Sequence, residues 1–181
     1  MKGIVIYKSK YGATRQYAQW IGDELKLPVF ATDELNAVKL DSFDFVIAGS
    51  SVYIGKLLIK KWLKNNLEAL RNKKIFLFVV SGTPADKKDK LDSYITASMP
   101  AEARNMCDIY FLPGKLIIKE LSLLDRMMIK IGARLDKRTG AKKEMIRDYN
   151  GVKKENIVEL LNALKKFSIV KSENLQKEPV G

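Results

Sequence analysis

The stretch GIVIYKSKYGATRQYAQWIGDELK, residues 3–26, decides the fold. It opens on a continuous apolar run, and beyond Arg15 the residues Tyr17, Ala18, Ile21 and Leu25 recur at helical spacing. Between the two lies SKYGAT, residues 9–14, which puts Ser9, Lys10, Tyr11, Gly12, Ala13 and Thr14 at a strand-to-helix junction. Small hydroxyls and a glycine at such a place are read in two ways. They make a turn and a cap, or they make an anion cradle, because the first turn of a helix has unpaired N–H groups and the positive end of its dipole.

Working outward, DFVIAGS (44–50), KIFLFVVS (74–81) and DIYFLPG (108–114) repeat the apolar run, and LPVFAT (27–32) is a weaker version of it. Continuous rather than alternating apolar residues are expected of strands covered on both faces of a parallel sheet. Helical patterns lie between them: Ile59, Trp62, Leu63, Leu67 and Leu70 mark one face, residues 88–104 form another helix, and KENIVELLNALKKF (154–167) forms the last. This order predicts an α/β doubly wound sandwich built on a parallel sheet of five strands. The 181 residues, 46% hydrophobic, suffice for one core. We read one domain over residues 1–170 and a polar tail, 171–181, that is expected to fray.

Composition removes several chemistries. There is no histidine, so Ser-His-Asp and Cys-His arrangements are excluded, and with one cysteine no Cys/His metal cluster can be drawn. No metal is expected, no side chain is assigned a catalytic role, and any chemistry belongs to a borrowed cofactor. Cys107, in the apolar MCDIYFL, reads as a buried, inert thiol. With no charged-then-apolar leader and no apolar run near the roughly 18–20 residues of a spanning helix, a cytoplasmic protein is expected. The net charge of +12 is uneven: residues 56–74 carry seven positive and one negative side chain, residues 115–147 ten and four, and the remainder is neutral overall. Such a surface suits an anionic lipid, an acidic partner or an anionic substrate. Nucleic acid is disfavoured, because the charge lacks interleaved aromatics and no recognition motif is present.

In a doubly wound sheet, ligands bind beyond the carboxyl ends of the strands. Three junctions there are rich in Gly, Ser and Thr: SKYGAT, then GSSVYIGK (49–56) with Ser50, Ser51, Val52, Tyr53, Ile54 and Gly55, then SGTPAD (81–86) with Ser81, Gly82 and Thr83. Their amides can approach a ligand closely. The first loop lacks both the Gly-x-Gly-x-x-Gly of dinucleotide folds and the Gly-Lys-Ser/Thr of a P-loop, so NAD and ATP are not expected. A mononucleotide with one terminal phosphate remains.

SKYGAT resembles the Ser/Thr-x-Ser/Thr-Gly-x-Thr phosphate loop of flavodoxins, matching at Ser9, Gly12 and Thr14, with Tyr11 departing from the pattern. The resemblance implies a flavodoxin-like sheet of order 2-1-3-4-5 with a helical insertion between the fifth strand and the last helix, and it implies FMN, its phosphate on the first loop and its ring between the other two. Tyr53 is the aromatic expected against that ring, where stacking adds on the order of 1 kcal/mol. Residues 115–150, inserted before the last helix, resemble the insertion of menaquinone-dependent protoporphyrinogen dehydrogenases, above all at Asp-Arg-Met-Met-Ile-Lys, 125–130. That likeness implies a flavoprotein taking electrons from a porphyrinogen and passing them to a quinone at a membrane surface. A positive field also favours the anionic reduced flavin, making it a better electron acceptor.

The insertion has its own pattern. Leu121, Leu124, Met128, Ile131 and Leu135 recur at helical spacing, Leu123 and Met127 widen the apolar arc to about 160°, and Lys119, Arg126, Lys130 and Arg134 line one border. Asp125 and Asp136 flank the other. An apolar face edged with long cations suits a helix lying in an anionic headgroup layer, peripheral to the membrane. The same pattern fits a helix packed on its own domain or in a homodimer. A soluble flavodoxin-like carrier or quinone reductase docking an acidic redox partner is the alternative function.

Overall fold

The apolar runs become strands because the sheet they build is covered on both sides. The computed structural model describes residues 1–37, 40–135 and 147–177. β1 (Gly3–Lys8), β2 (Val29–Ala31), β3 (Phe45–Tyr53), β5 (Lys74–Ser81) and β6 (Cys107–Pro113) form a parallel sheet ordered β2-β1-β3-β5-β6. Counting parallel strands alone, this is the expected order 2-1-3-4-5. A short β4 (Lys56–Leu57) folds back antiparallel on the end of β3.

Successive residues of each strand face opposite layers. Ile4, Ile6, Val46, Ala48, Leu77 and Val79 pack against Ile59, Leu63, Leu70 and Ile95. These come from the segment around α2 (Lys60–Asn65) and α3 (Leu67–Leu70), and from α4 (Lys88–Thr96). Val5, Ile47, Phe76 and Phe78 pack against Tyr17, Ala18 and Ile21 of α1 (Ala13–Leu25) and Leu160 and Leu164 of α7 (Val158–Lys177). Gly49 is required where Phe78 crosses it: a Cβ would lie 2.1 Å from the ring.

Three expectations change. The helix read over 88–104 is two, α4 and α5 (Ala101–Asn105), divided by Pro100, which cannot continue a helix and disfavours helical backbone before it. α7 runs to Lys177, because Glu173, Leu175, Gln176 and Lys177 are good helix formers; residues 171–177 of the expected tail are helical, and 178–181 lie outside the described residues. β3 runs on past Ser50, so Ser51, Val52 and Tyr53 belong to the strand rather than to a loop.

The register aligns Lys8 with Ser50, Ser51 with Val80, and Ser81 with Pro113, so the three junctions meet along one sheet edge. From that edge the chain leaves through β7 (Lys115–Leu116) and returns through β8 (Tyr149–Asn150), paired antiparallel. The insertion read over 115–150 therefore begins and ends at one two-stranded ribbon. It carries a short 3-10 turn (Ile118–Glu120) and then α6 (Leu123–Leu135). Residues 136–146 of the insertion, Asp136 among them, lie outside the described residues. Among the described residues no helix is long and apolar enough to cross a membrane. At the far end of the sheet, Cys107 donates to the Ala103 carbonyl at 3.1 Å, and burial, with Asp108 beside it, pushes the thiol up to about 12.

Candidate functional site

Gly12 ends the first junction with φ +82°, in the left-handed region that glycine adopts without strain. Its N–H donates to Ser9 Oγ at 3.1 Å, closing residues 9–12 into a tight loop. No side chain caps α1, so its first amides remain open at the loop. Thr14, in the first turn, is fully buried, and among the described residues its Oγ1 has no hydrogen-bond partner. A buried hydroxyl left unpaired costs about 1–3 kcal/mol, so its presence here calls for a ligand acceptor or donor.

A cavity of about 600 Å³ opens beside this loop. Of the residues singled out by sequence, Ser9, Lys10, Tyr11, Ala13, Thr14, Ser51, Val52, Tyr53, Ile54, Ser81 and Gly82 line it. Others stand behind the wall. Ser50 Oγ is buried, accepting from the Ile59 N–H at 3.2 Å and donating to the Ser51 carbonyl, so it ties β3 to the segment before α2. The Thr83 hydroxyl pairs with Tyr94 at 2.8 Å, and its N–H donates to Ser81 Oγ, fixing the third loop. Gly55 serves the turn after β3, where Ile54 and Gly55 have φ of +48° and +70°. A β-branched residue in the left-handed region is strained, and this turn sets Ile54, 66% exposed, at the cavity rim.

The insertion forms the opposite wall, with Leu116, Leu121, Asp125, Met128 and Ile129. Asp125 is the residue sequence reasoning missed. Its carboxylate accepts hydrogen bonds from the Tyr11 hydroxyl and, at 2.7 Å, from the Tyr53 hydroxyl, and it pairs with Lys10 Nζ at 2.8 Å. Lys10 Nζ also lies 3.6 Å from the centroid of the Tyr53 ring, a cation–π distance. A signal was present: Ser122 and Asp125 stand three apart, and Ser122 Oγ accepts the Asp125 N–H at 3.2 Å as the cap of α6. That signal fixes a helix start. It does not disclose partners 114 and 72 residues away.

The Lys10 bond, then those of the two tyrosines, hold the Asp125 carboxyl at about 2, below its ordinary 3.8. Desolvation works against the Lys10 charge, but Asp125 and Tyr53 outweigh it and raise the pKa of the ammonium. A depressed acid contributes its stability above its ordinary pKa and loses it as the pH falls through the folded value. The stability difference between wild type and Asp125→Asn is therefore expected to be level above about pH 4 and to close toward about pH 2. Denaturant titrations at a series of pH values measure it, and a difference unchanged at the acid end removes the ion pair as its source.

The expected cation stripe is dispersed. Lys119 lies in the turn before α6, and Arg126 folds back, its guanidinium donating to the carbonyls of Leu121 at 3.0 Å and Lys119 at 2.6 Å. The helix pattern was extrapolated past Ser122, where the cap begins the helix. Lys130 is exposed on α6, and nothing is described of the Arg134 side chain. Leu123, Leu124, Met127, Met128 and Ile131 are exposed, Leu123 by 76%.

A family model described as a flavodoxin domain matches residues 4–143. An uncharacterized protein of Methanocaldococcus jannaschii is 32% identical over 103 residues, 51% of this chain and 67% of that protein. Among solved structures, a WrbA-like flavodoxin protein from Agrobacterium tumefaciens is similar over 74% of this chain and 94% of its own, at 19% identity and TM-score 0.44. A flavodoxin from the domain Archaea covers 81% of this chain and 100% of its own, at 20% identity and TM-score 0.41. A flavoprotein from Lactobacillus acidophilus, solved in complex with FMN, covers 62% and 91%, at 16% identity and TM-score 0.43. The residues present here fit FMN. The orphaned Thr14 hydroxyl and the uncapped α1 amides suit one phosphate, and the apolar wall of Val52, Tyr53, Leu116 and Met128 suits a flat ring.

Proposed function

Because this chain belongs to the flavodoxin domain family, we propose that it is an FMN-dependent oxidoreductase whose cofactor phosphate rests on residues 9–14. The observation that carries this reading is the buried, unpartnered Thr14 hydroxyl at an uncapped helix start beside a large apolar cavity. FMN supplies there an acceptor and donor of electron pairs. Ser9, whose oxygen already receives the Gly12 amide, keeps its hydroxyl proton for the phosphate, and Thr14 donates a second. Residues 51–54 and 81–82 would flank the ring, and the α6 wall would keep water from it.

The finer reading is a protoporphyrinogen dehydrogenase of the menaquinone-dependent type, acting at the membrane surface. Its support is the likeness of residues 115–150, the closing of the cavity by that same segment, and a positive surface suited to an anionic porphyrinogen and to anionic lipid. The exposed apolar residues of α6, with Lys130 among them, are the part that would meet a headgroup layer. A second reading, a carrier or quinone reductase docking an acidic partner, draws on Lys56, Lys60, Lys61 and Lys64, which are exposed outside the insertion. Purified protein is expected to be yellow, to release a flavin with one phosphate on denaturation, and to oxidise a porphyrinogen with a quinone analogue as acceptor. A colourless protein that takes up no FMN overturns the cofactor, and tight FMN binding without porphyrinogen turnover overturns the substrate.

A further inference from the structure

We infer that Asp125 is a positioning residue that docks α6 over the cavity, so that closure of the insertion and binding of the cofactor support each other. The identity of the ligand in this inference rests on the FMN reading above.

Among the described residues Asp125 is the one charged side chain that is buried, and it is buried outside the sheet's two cores. Its partners come from both sides of the site: Lys10 and Tyr11 from the first loop, Tyr53 from the end of β3. Tyr11 is shared further, since its hydroxyl also accepts the Ser122 N–H at 3.4 Å, at the cap of α6. One carboxylate thus gathers the start of the inserted helix onto the two segments that bound the cavity. Among the described residues little else holds that helix. α6 packs extensively on none of the other described elements, and most of its large apolar side chains are exposed. Loss of a buried anchor of this kind leaves its partners desolvated and unpaired, which is why its effect reaches the whole helix.

The coupling has a sign. Leu121, Met128 and Ile129 face the cavity, where a flat ring would give them an apolar partner. A ligand that touches the docked helix favours docking, and docking favours the ligand by the same factor. A carboxylate acting directly on a phosphate or an electron-rich ring would do the reverse. Removing its charge would then strengthen binding, all the more because Lys10 would be released.

The test uses the full chain as wild type, Asp125→Asn, Asp125→Glu and Tyr53→Phe, with amide exchange of residues 123–135 and equilibrium titration by FMN and by inorganic phosphate. In the ligand-free protein, Asp125→Asn is expected to speed exchange in α6 by about tenfold, with Tyr53→Phe, which keeps the ring, intermediate and Asp125→Glu recovering part of the loss. FMN is expected to slow exchange there in wild type. The Kd for FMN is expected to rise about tenfold in Asp125→Asn, while phosphate, too small to reach α6, binds as well as before or better. Unchanged α6 exchange in both Asp125→Asn and Tyr53→Phe overturns the docking role. FMN binding as tight or tighter in Asp125→Asn overturns the coupling. Wild type that takes up no FMN fails the cofactor reading instead, and the ligand-free exchange then judges the docking by itself.

Discussion

Replacing Thr14 by valine is expected to raise the unfolding temperature of the cofactor-free protein and to weaken FMN binding in the same variant. Valine keeps the branched shape of threonine at a fully buried position and removes the one hydroxyl there that lacks a partner. Relief of an unsatisfied polar group is worth about 1–3 kcal/mol, and each kcal/mol moves the midpoint of a chain of this size by about 2–4 °C. On the other side, a hydrogen bond to a charged phosphate contributes about 1.5–3 kcal/mol, so the affinity for FMN is expected to fall by about 10- to 100-fold. Thermal melts of the stripped protein and a fluorescence titration with FMN read the two changes. A variant less stable than wild type and unchanged in affinity would return residues 9–14 to a turn and a cap.

The second large effect comes from excision of residues 117–148, with Leu116 joined to Tyr149 through Asn-Gly. β7 and β8 already pair antiparallel there, and Asn-Gly suits the two-residue turn that closes such a ribbon. The parallel sheet and its two cores draw little on the excised segment, so a cooperative unfolding transition is expected to survive. The cavity, however, loses Leu121, Asp125, Met128 and Ile129 together. Under the porphyrinogen reading proposed above, turnover of a porphyrinogen is expected to drop by about 100-fold or more, because orientation and exclusion of water both depend on that wall. Binding to anionic vesicles is expected to fall with it, while one-electron transfer by bound FMN continues. Full porphyrinogen turnover in the excised protein would detach the activity from the insertion and favour the carrier.

The parts of the fold legible in the sequence were those governed by local pattern. Runs such as KIFLFVVS announced strands because both faces of the sheet are covered, and the doubly wound class followed from the alternation of strands with helices, while the strand order came from the likeness of SKYGAT to a phosphate loop. Gly12 and Thr14 were legible because a helix start beyond a strand has its own residue chemistry. The length of β3 was hidden, since no propensity places a β-branched Ile54 at positive φ, and the strand was ended three residues early, at Ser50 rather than Tyr53. Asp125 was hidden more deeply. Helical periodicity assigned it to a border of α6, a statement about its own helix, whereas its role is set by Lys10, Tyr11 and Tyr53, which reach it only after the sheet has assembled.

Cys107 bears on how this chain can be labelled. With burial and Asp108 holding the thiol far above its ordinary value, it stays protonated at neutral pH. Thiolates, not thiols, are the nucleophiles that electrophiles capture, so this single sulfhydryl is chemically silent. The same silence leaves the native cysteine in place during labelling. A second cysteine introduced at exposed Leu123 or Ile131 would react with a maleimide dye far ahead of it, giving a single-site optical probe of α6 in an otherwise unaltered chain.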